Sequence, residues 1–121
     1  MKPVFDTNIL IDYLTGIDAA KEELARYPRS RISIITWMEV MVGASGESEE
    51  SSVRQFLNSF ETVPLDNNVA EAAVQLRRQY GLKLPDTLIW ATARTSESLL
   101  ITRNTRDYPA GEPEIRFPYA L

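Results

Sequence analysis

The chain has no histidine and no cysteine among its 121 residues. Without imidazole or thiol, it cannot carry out Ser-His-Asp or Cys-His catalysis or phosphohistidine chemistry. It also cannot form disulfides or zinc sites built on thiolate or imidazole. The chemistry left to it is carboxylate, hydroxyl, amide, Lys and Arg. Zero cysteine fits a reducing compartment, and a cytoplasmic location is expected. No run of about 18 apolar residues exists, because Ser33, Thr36 and Glu39 interrupt the best candidate, so no membrane span is expected. The opening Met1-Lys2-Pro3-Val4-Phe5-Asp6 reaches an acid before a signal-peptide apolar run can form. A surplus of positive charge is missing too: 13 Lys and Arg stand against 17 Asp and Glu, net −4. A broad nucleic-acid footprint is therefore not visible, and such binding needs bound divalent ions or a local basic patch to reverse the field.

What is present is a chain of one-domain length with 44% apolar residues, enough to bury a core without staples. A single domain over 1–121 is the economical reading. Val4-Phe5 reads as a short buried strand closed by Asp6-Thr7-Asn8. Ile9, Leu10, Tyr13 and Leu14 then take helical spacing up to Gly16. Asp18 is placed to cap a second helix reaching about Tyr27, before Pro28. Arg31 to Ile35 reads as strand, and Thr36 begins a helix through Val42. Gly43 to Ser48 reads as a loop. Val53, Phe56, Leu57 and Phe60 form one helical stripe, and Thr62 to Leu65 a short strand. Asp66 caps a helix with Val69, Ala73, Leu76 and Tyr80 on one face, ending at Gly81. Leu84-Pro85-Asp86 opens a helix that is apolar nearly all round and so buried. Leu99 to Thr102 is a strand, Arg103 to Asp107 a polar turn, and Ile115 to Tyr119 a final strand that Pro118 favours at an edge. Short strands alternating with helices predict an α/β fold, a three-layer α/β/α sandwich around a mostly parallel sheet.

In open α/β sheets, ligands collect beyond the carboxyl ends of the strands. Asp6, Glu39, Asp86 and Asp107 all follow strands or open helices, where chain reversals can bring them to one edge. Carboxylates brought together repel and raise one another's pKa unless a cation neutralises them. An all-oxygen ligand set favours Mg²⁺, with Mn²⁺ as the alternative, and such an ion can activate water on a phosphodiester. Each acid also has an ordinary structural reading. Asp6 can be a helix N-cap, and Thr36-x-x-Glu39 has capping-box spacing. Asp86 can complement its helix dipole, and Asp107 can be a solvated turn residue. Thr7, Asn8, Thr36, Thr102 and Asn104 lie beside the acids and can orient carboxylates or serve turns. Arg103 and Arg106 flank the last acid and can meet phosphate, while Arg77 and Arg78 are weaker candidates. Trp37 and Trp90 read as core or contact residues rather than base-stacking platforms.

Four blocks then take on a joint meaning. Val-Phe-Asp-Thr-Asn-Ile-Leu-Ile-Asp (4–12), Ile-Thr-Trp-Met-Glu-Val-Met-Val-Gly (35–43), Lys-Leu-Pro-Asp-Thr-Leu-Ile-Trp-Ala-Thr-Ala (83–93) and Leu-Ile-Thr-Arg-Asn-Thr-Arg-Asp-Tyr (100–108) occur in this order. Together they resemble the PIN-domain ribonucleases, and most of all the VapC-like toxins of toxin–antitoxin pairs. The resemblance implies a PIN-like domain with metal-dependent endoribonuclease activity, a homodimer, and inhibition by a small cognate antitoxin. It places the family's acidic metal positions on Asp6, Glu39, Asp86 and Asp107, and its polar support positions on Thr7, Thr102 and Asn104. Tyr108 stands where Phe is commoner, and Asn104 is an amide where some relatives carry an acid.

The expected mechanism is hydrolysis of RNA by metal-activated water, leaving 5′-phosphate and 3′-hydroxyl ends. Asp6 and Asp86 are the expected principal Mg²⁺ ligands, with Glu39 and Asp107 completing the set. Arg103 and Arg106, with Arg77 or Arg78, are expected to form a basic rim for the RNA. Trp37, Met38 and Met41 are candidates to line an antitoxin groove, or else to pack the core. Two alternatives stand beside this reading: a phospho-accepting receiver-type signalling domain and a catalytically silent PIN-like interaction domain. The receiver needs a Lys after a late strand, whereas the three lysines are Lys2, Lys21 and Lys83.

Overall fold

The computed structural model describes residues 2–121. In chain order the elements are β1 (Val4–Phe5), α1 (Thr7–Leu14), α2 (Asp18–Ala25), β2 (Arg31–Ser33), α3 (Ile34–Val42), α4 (Gly46–Leu57), β3 (Glu61–Val63), α5 (Asn67–Tyr80), α6 (Leu84–Thr95), β4 (Leu100–Ile101) and β5 (Ile115–Arg116). The strands form one sheet in the order β3-β2-β1-β4-β5. Every pairing is parallel. The α/β architecture and parallel sheet expected from the sequence are present, with six helices flanking five strands.

Two-residue strands suffice because each sends one side chain to each face. Val4 and Leu100 join a core with Val69, Ala73, Leu76, Ile89 and Trp90, which seats α5 and α6. Phe5 and Ile101 point the other way, into a core with Ile9, Leu10, Ala20, Ile32, Val40, Val53 and Leu57, which seats α1 to α4. All these strand side chains are fully buried. The buried reading of α6 holds: Thr87 and the run Ile89 to Ala93 lie inside.

Several boundaries differ from the sequence reading, each for a local reason. Strand β2 stops at Ser33, and α3 begins at Ile34 rather than Thr36, because the Ser33 hydroxyl caps the helix by accepting from the Ile35 N–H at 3.0 Å. Thr36-x-x-Glu39 is therefore not a capping box. Asp18 is not a cap either. Ile17 holds the N-cap position with no side-chain hydrogen bond, and Asp18 sits in the first turn of α2, where its charge suits the dipole. Helix α2 ends at Ala25, short of Tyr27. The expected loop at Gly43–Ser48 is shorter, since α4 starts at Gly46. β3 runs Glu61–Val63 instead of Thr62–Leu65, and Pro64, lacking an N–H, cannot extend it. β4 and β5 are each shorter than expected, and β5 is an edge strand as anticipated. The α5 limits follow the reading: Asp66 accepts from the Val69 N–H at 2.9 Å, and Gly81 ends the helix with φ +69°, a conformation that favours glycine.

Candidate active site

The strand order changes direction between β1 and β4: the chain winds outward from β1 through β2 to β3, then returns to β4 on the other side. The carboxyl ends of β1 and β4 thus flank the switch point, where such sheets bind ligands. Asp6 is the residue after β1, and Thr102 the residue after β4. Parallel pairing of Phe5 with Ile101 places them side by side.

Asp6 is buried and is the N-cap of α1. One carboxylate oxygen accepts from the Thr7 N–H at 2.7 Å. The other accepts from the Thr102 hydroxyl at 2.7 Å and the Asn8 amide at 3.3 Å. Despite these donors, the Asp6 carboxyl is pushed up to about 6. Burial is the main cause, and the Asp86 and Glu39 charges add to it, outweighing the Thr102 and Thr7 hydrogen bonds. The capping role and the perturbed charge coexist at this residue.

Asp86, in the first turn of α6, is also raised, first by partial burial and then by the charges of Asp107 and Glu39, with Lys83 opposing. Glu39 is exposed on α3, and its Oε1 accepts from the Thr7 hydroxyl at 2.6 Å. The same hydroxyl lies 3.0 Å from that of the fully buried Thr36. Asp107 is bound twice by Asn104. The Asn104 amide donates to Oδ2 at 3.0 Å, and the Asp107 N–H donates to Asn104 Oδ1 at 3.1 Å. Buried Tyr108 senses all of them. Its phenol is driven strongly upward by burial and then by Asp6, Asp86, Glu39 and Asp107. Its hydroxyl donates to the Asp86 backbone carbonyl at 3.1 Å, tying the turn after Asp107 to the first turn of α6.

The four carboxylates, from four separate elements, influence one another or Tyr108 electrostatically, and hydroxyl and amide side chains hold Asp6, Glu39 and Asp107 in place. Among the described residues no three acids already close into a finished metal cage. The donor set nevertheless fits a hard divalent cation: every candidate ligand atom is oxygen, and burial together with neighbouring carboxylates disfavours the ionised Asp6 and Asp86 in the absence of a cation. A cleft of ≈ 460 Å³ opens beside them, lined by Asn8, Arg103, Asn104, Thr105, Arg106 and Asp107.

Of the expected basic rim, Arg103 and Arg106 both line the cleft. The Arg103 guanidinium is committed to the protein: its Nε and Nη2 donate to Asp12 at 2.6 and 2.9 Å. Asp12 is buried and also accepts from the Tyr119 hydroxyl at 2.7 Å. Arg106 remains exposed on the cleft. Arg77 donates to the Leu82 carbonyl at the end of α5. Sequence reasoning attached no role to Asp12 or Tyr119. A buried acid in the amphipathic pattern of α1 was the available signal for Asp12, since such acids are rarely buried unpaired. Nothing in the sequence pointed to Tyr119, whose partner lies 107 positions away. Trp37 and Met41 pack partly against the core, and Met38 is exposed.

The PIN-domain family model matches residues 4–110 of this chain. The chain belongs to that family, which sets aside the receiver-domain alternative. Within the family it is VapC-like. Ribonuclease VapC19 of Mycobacterium tuberculosis is 29% identical over 125 residues, covering 96% of this chain and 98% of its own. A toxin–antitoxin complex from Klebsiella pneumoniae contains a chain 46% identical with a TM-score of 0.94, covering 99% of this chain and all of that one. The DNA-bound VapBC complex from Salmonella typhimurium shares the fold at 24% identity, with a TM-score of 0.79 and 96% of each chain covered.

Proposed function

We propose that this chain is an Mg²⁺-dependent endoribonuclease and the toxin half of a VapBC-type pair, acting as a single domain in the cytoplasm. What supports the reading is the place of Asp6: it follows β1 at the switch point of a parallel sheet, is hydrogen-bonded to Thr102 after β4, and is raised by burial and by the Asp86 and Glu39 charges. The names of the similar proteins, a ribonuclease and toxin–antitoxin complexes, supply the substrate class and the partner.

In this reading Asp6 and Asp86 hold the cation, and Glu39 and Asp107 complete its surroundings directly or through water. A divalent ion bound there supplies a polarised water and stabilises charge on the phosphodiester. The chain's own residues position the reactants. Thr102 and Asn8 fix the Asp6 carboxylate, Thr7 fixes Glu39, and Asn104 fixes Asp107. Arg106 offers its guanidinium to the phosphate from the adjoining cleft. Arg103 supports that loop through Asp12 instead of meeting substrate. Exposed Ile11, Leu14, Met38 and Val42 provide apolar surface for an antitoxin and a second protomer.

The test is cleavage-site mapping on total RNA with Mg²⁺, beside Asp6→Asn and Asp86→Asn. Both variants are expected to fold, lose cleavage and bind Mg²⁺ more weakly. Full cleavage by either variant, or in EDTA, rules the mechanism out.

A further inference from the structure

The active-site cleft is not the only place where the surface collects charge. At the opposite, N-terminal ends of the strands lies a concavity of ≈ 520 Å³ lined by Lys2, Arg26, Tyr27, Pro28, Arg29 and Arg31. Four of its six lining residues are cationic and none is acidic, in a chain whose net charge is −4. Backbone pairing brings these cations together. Val4 pairs with Arg31, so the residues just before β1 meet the loop between α2 and β2.

Internal partners do not use up this charge. Glu61 faces both Lys2 at 3.7 Å and Arg31 at 2.6 Å, one acid for two bases. Arg31 is further anchored by donating to the Ser98 hydroxyl at 2.8 Å. Arg26 lies 3.8 Å from Glu23, but Glu23 is already held by Arg116 at 2.7 Å. Arg29 is exposed and has no ion-pair partner among the described residues. The site therefore has two braced cations and two available guanidiniums, a chemistry suited to phosphate oxygens. Within the concavity only Tyr27 and Pro28 are apolar; because both also line a neighbouring pocket with Leu24, Phe56 and Phe60, a helical acidic peptide is the competing occupant that the experiment below must exclude.

We propose that this concavity is a second contact for the phosphate backbone of RNA, at the end of the sheet away from the acids. It takes RNA as its ligand from the ribonuclease reading above. The two sites lie at opposite ends of the strands, so only a strand long enough to pass around the domain reaches both. The concavity thus gives an acidic protein an electrostatic hold on long RNA that the acid-lined site cannot supply.

The experiment measures binding of a ~30-nucleotide single-stranded RNA in EDTA over a salt series, where each phosphate contact contributes roughly −0.7 to the slope of log K against log salt. Arg29→Glu is expected to lower the slope by about 0.7 or more and weaken binding about fivefold at moderate salt. Arg29→Lys, which keeps a cation, restores most of the slope. Arg54→Glu makes the same charge change on exposed α4, where Arg54 lies 5.5 Å above the Trp37 ring, and is expected to leave the slope intact. An unchanged slope in Arg29→Glu overturns the proposal, as does an equal loss in Arg54→Glu, which reports net charge alone. Displacement of the RNA by a glutamate-rich peptide of equal charge at the same concentration overturns it in favour of a protein partner. Cleavage is not needed for this readout. A chain that cuts no RNA yet shows the Arg29-dependent slope refutes the nuclease reading only, and a cleaving chain without that slope refutes this site only.

Discussion

Arg103 grips Asp12 with two parallel hydrogen bonds of 2.6 and 2.9 Å, across 91 residues of sequence. The pair links the loop after β4 to the buried side of α1. The Arg103 N–H donates to Asn8 Oδ1 at 3.2 Å, and Asn8 in turn donates to Asp6 and Thr102. The strand end carrying Asp6 and the turn carrying Asn104 and Asp107 are thereby joined into one unit. Tyr119 closes the same carboxylate from the C-terminal segment.

Removing one partner strands the other. Arg103→Ala leaves the Asp12 carboxylate buried with only the Tyr119 hydroxyl, and a loss of about 2–4 kcal/mol is expected in urea unfolding. Arg103→Lys keeps the charge but not the fork and should lose about half as much. Both should reduce cleavage more than Arg106→Lys does. Wild-type stability in Arg103→Ala would show that the pair contributes little.

Acid should expose the same pair. The Arg103 and Tyr119 hydrogen bonds, aided by the Arg103 charge, hold Asp12 below its ordinary range against the opposing effect of burial. A depressed carboxylate stabilises the fold above its unfolded value, near 3.9. That stability is lost as pH falls from there through the folded value. Wild-type unfolding free energy is thus expected to fall more steeply below about pH 4 than that of Asp12→Asn, read from urea melts between about pH 2 and 6.

Asp6 works in the opposite sense. Its carboxyl lies at about 6 in the folded chain. The protonated form is therefore favoured by folding, and this contribution is present below about 4 and lost as pH rises towards 6. At neutral pH the metal-free chain carries the cost. Asp6→Asn should raise metal-free stability by up to about 3 kcal/mol, since each pKa unit corresponds to roughly 1.4 kcal/mol. Mg²⁺ or Mn²⁺ should raise the Tm of the wild type and leave that of Asp6→Asn nearly unmoved. Equal metal-induced shifts in both would mean that Asp6 is not a ligand.

Thr102→Val removes the 2.7 Å hydrogen bond to Asp6 at nearly constant volume. The Asp6 carboxyl then rises further, because that bond is the largest influence lowering it. Cleavage should fall about tenfold at neutral pH, in line with the effect of orienting partners in metal sites. The pH at which activity sets in should move upward in a pH–rate profile, while the far-UV spectrum stays unchanged.

The elements of this fold were legible in local pattern: strand Val4–Phe5, the Asp66 and Gly81 limits of α5, and the buried stripe of α6. The boundaries that escaped were decided by competition between neighbouring caps, as where the Ser33 hydroxyl started α3 two residues before Thr36. The acids were legible as candidates because each was read as following a strand or opening a helix. That Asp6 lies beside Thr102 and feels the Asp86 and Glu39 charges came from strand order and packing. The Arg103–Asp12 pair was not legible, because a surface-like Arg in a polar turn gives no sign of a carboxylate buried 91 residues earlier.

By itself, the sequence determined which reactive groups exist. With no imidazole and no thiol, carboxylate and hydroxyl oxygens are left to do the chemistry, and the apolar pair Val4-Phe5 before Asp6 sets where the first strand ends. Only the tertiary structure decided what those groups feel. Placing β1 against β4 buries Asp6 beside Thr102 and within the field of Asp86 and Glu39. Desolvation and charge repulsion depend on distance in space, and distance along the chain does not report them.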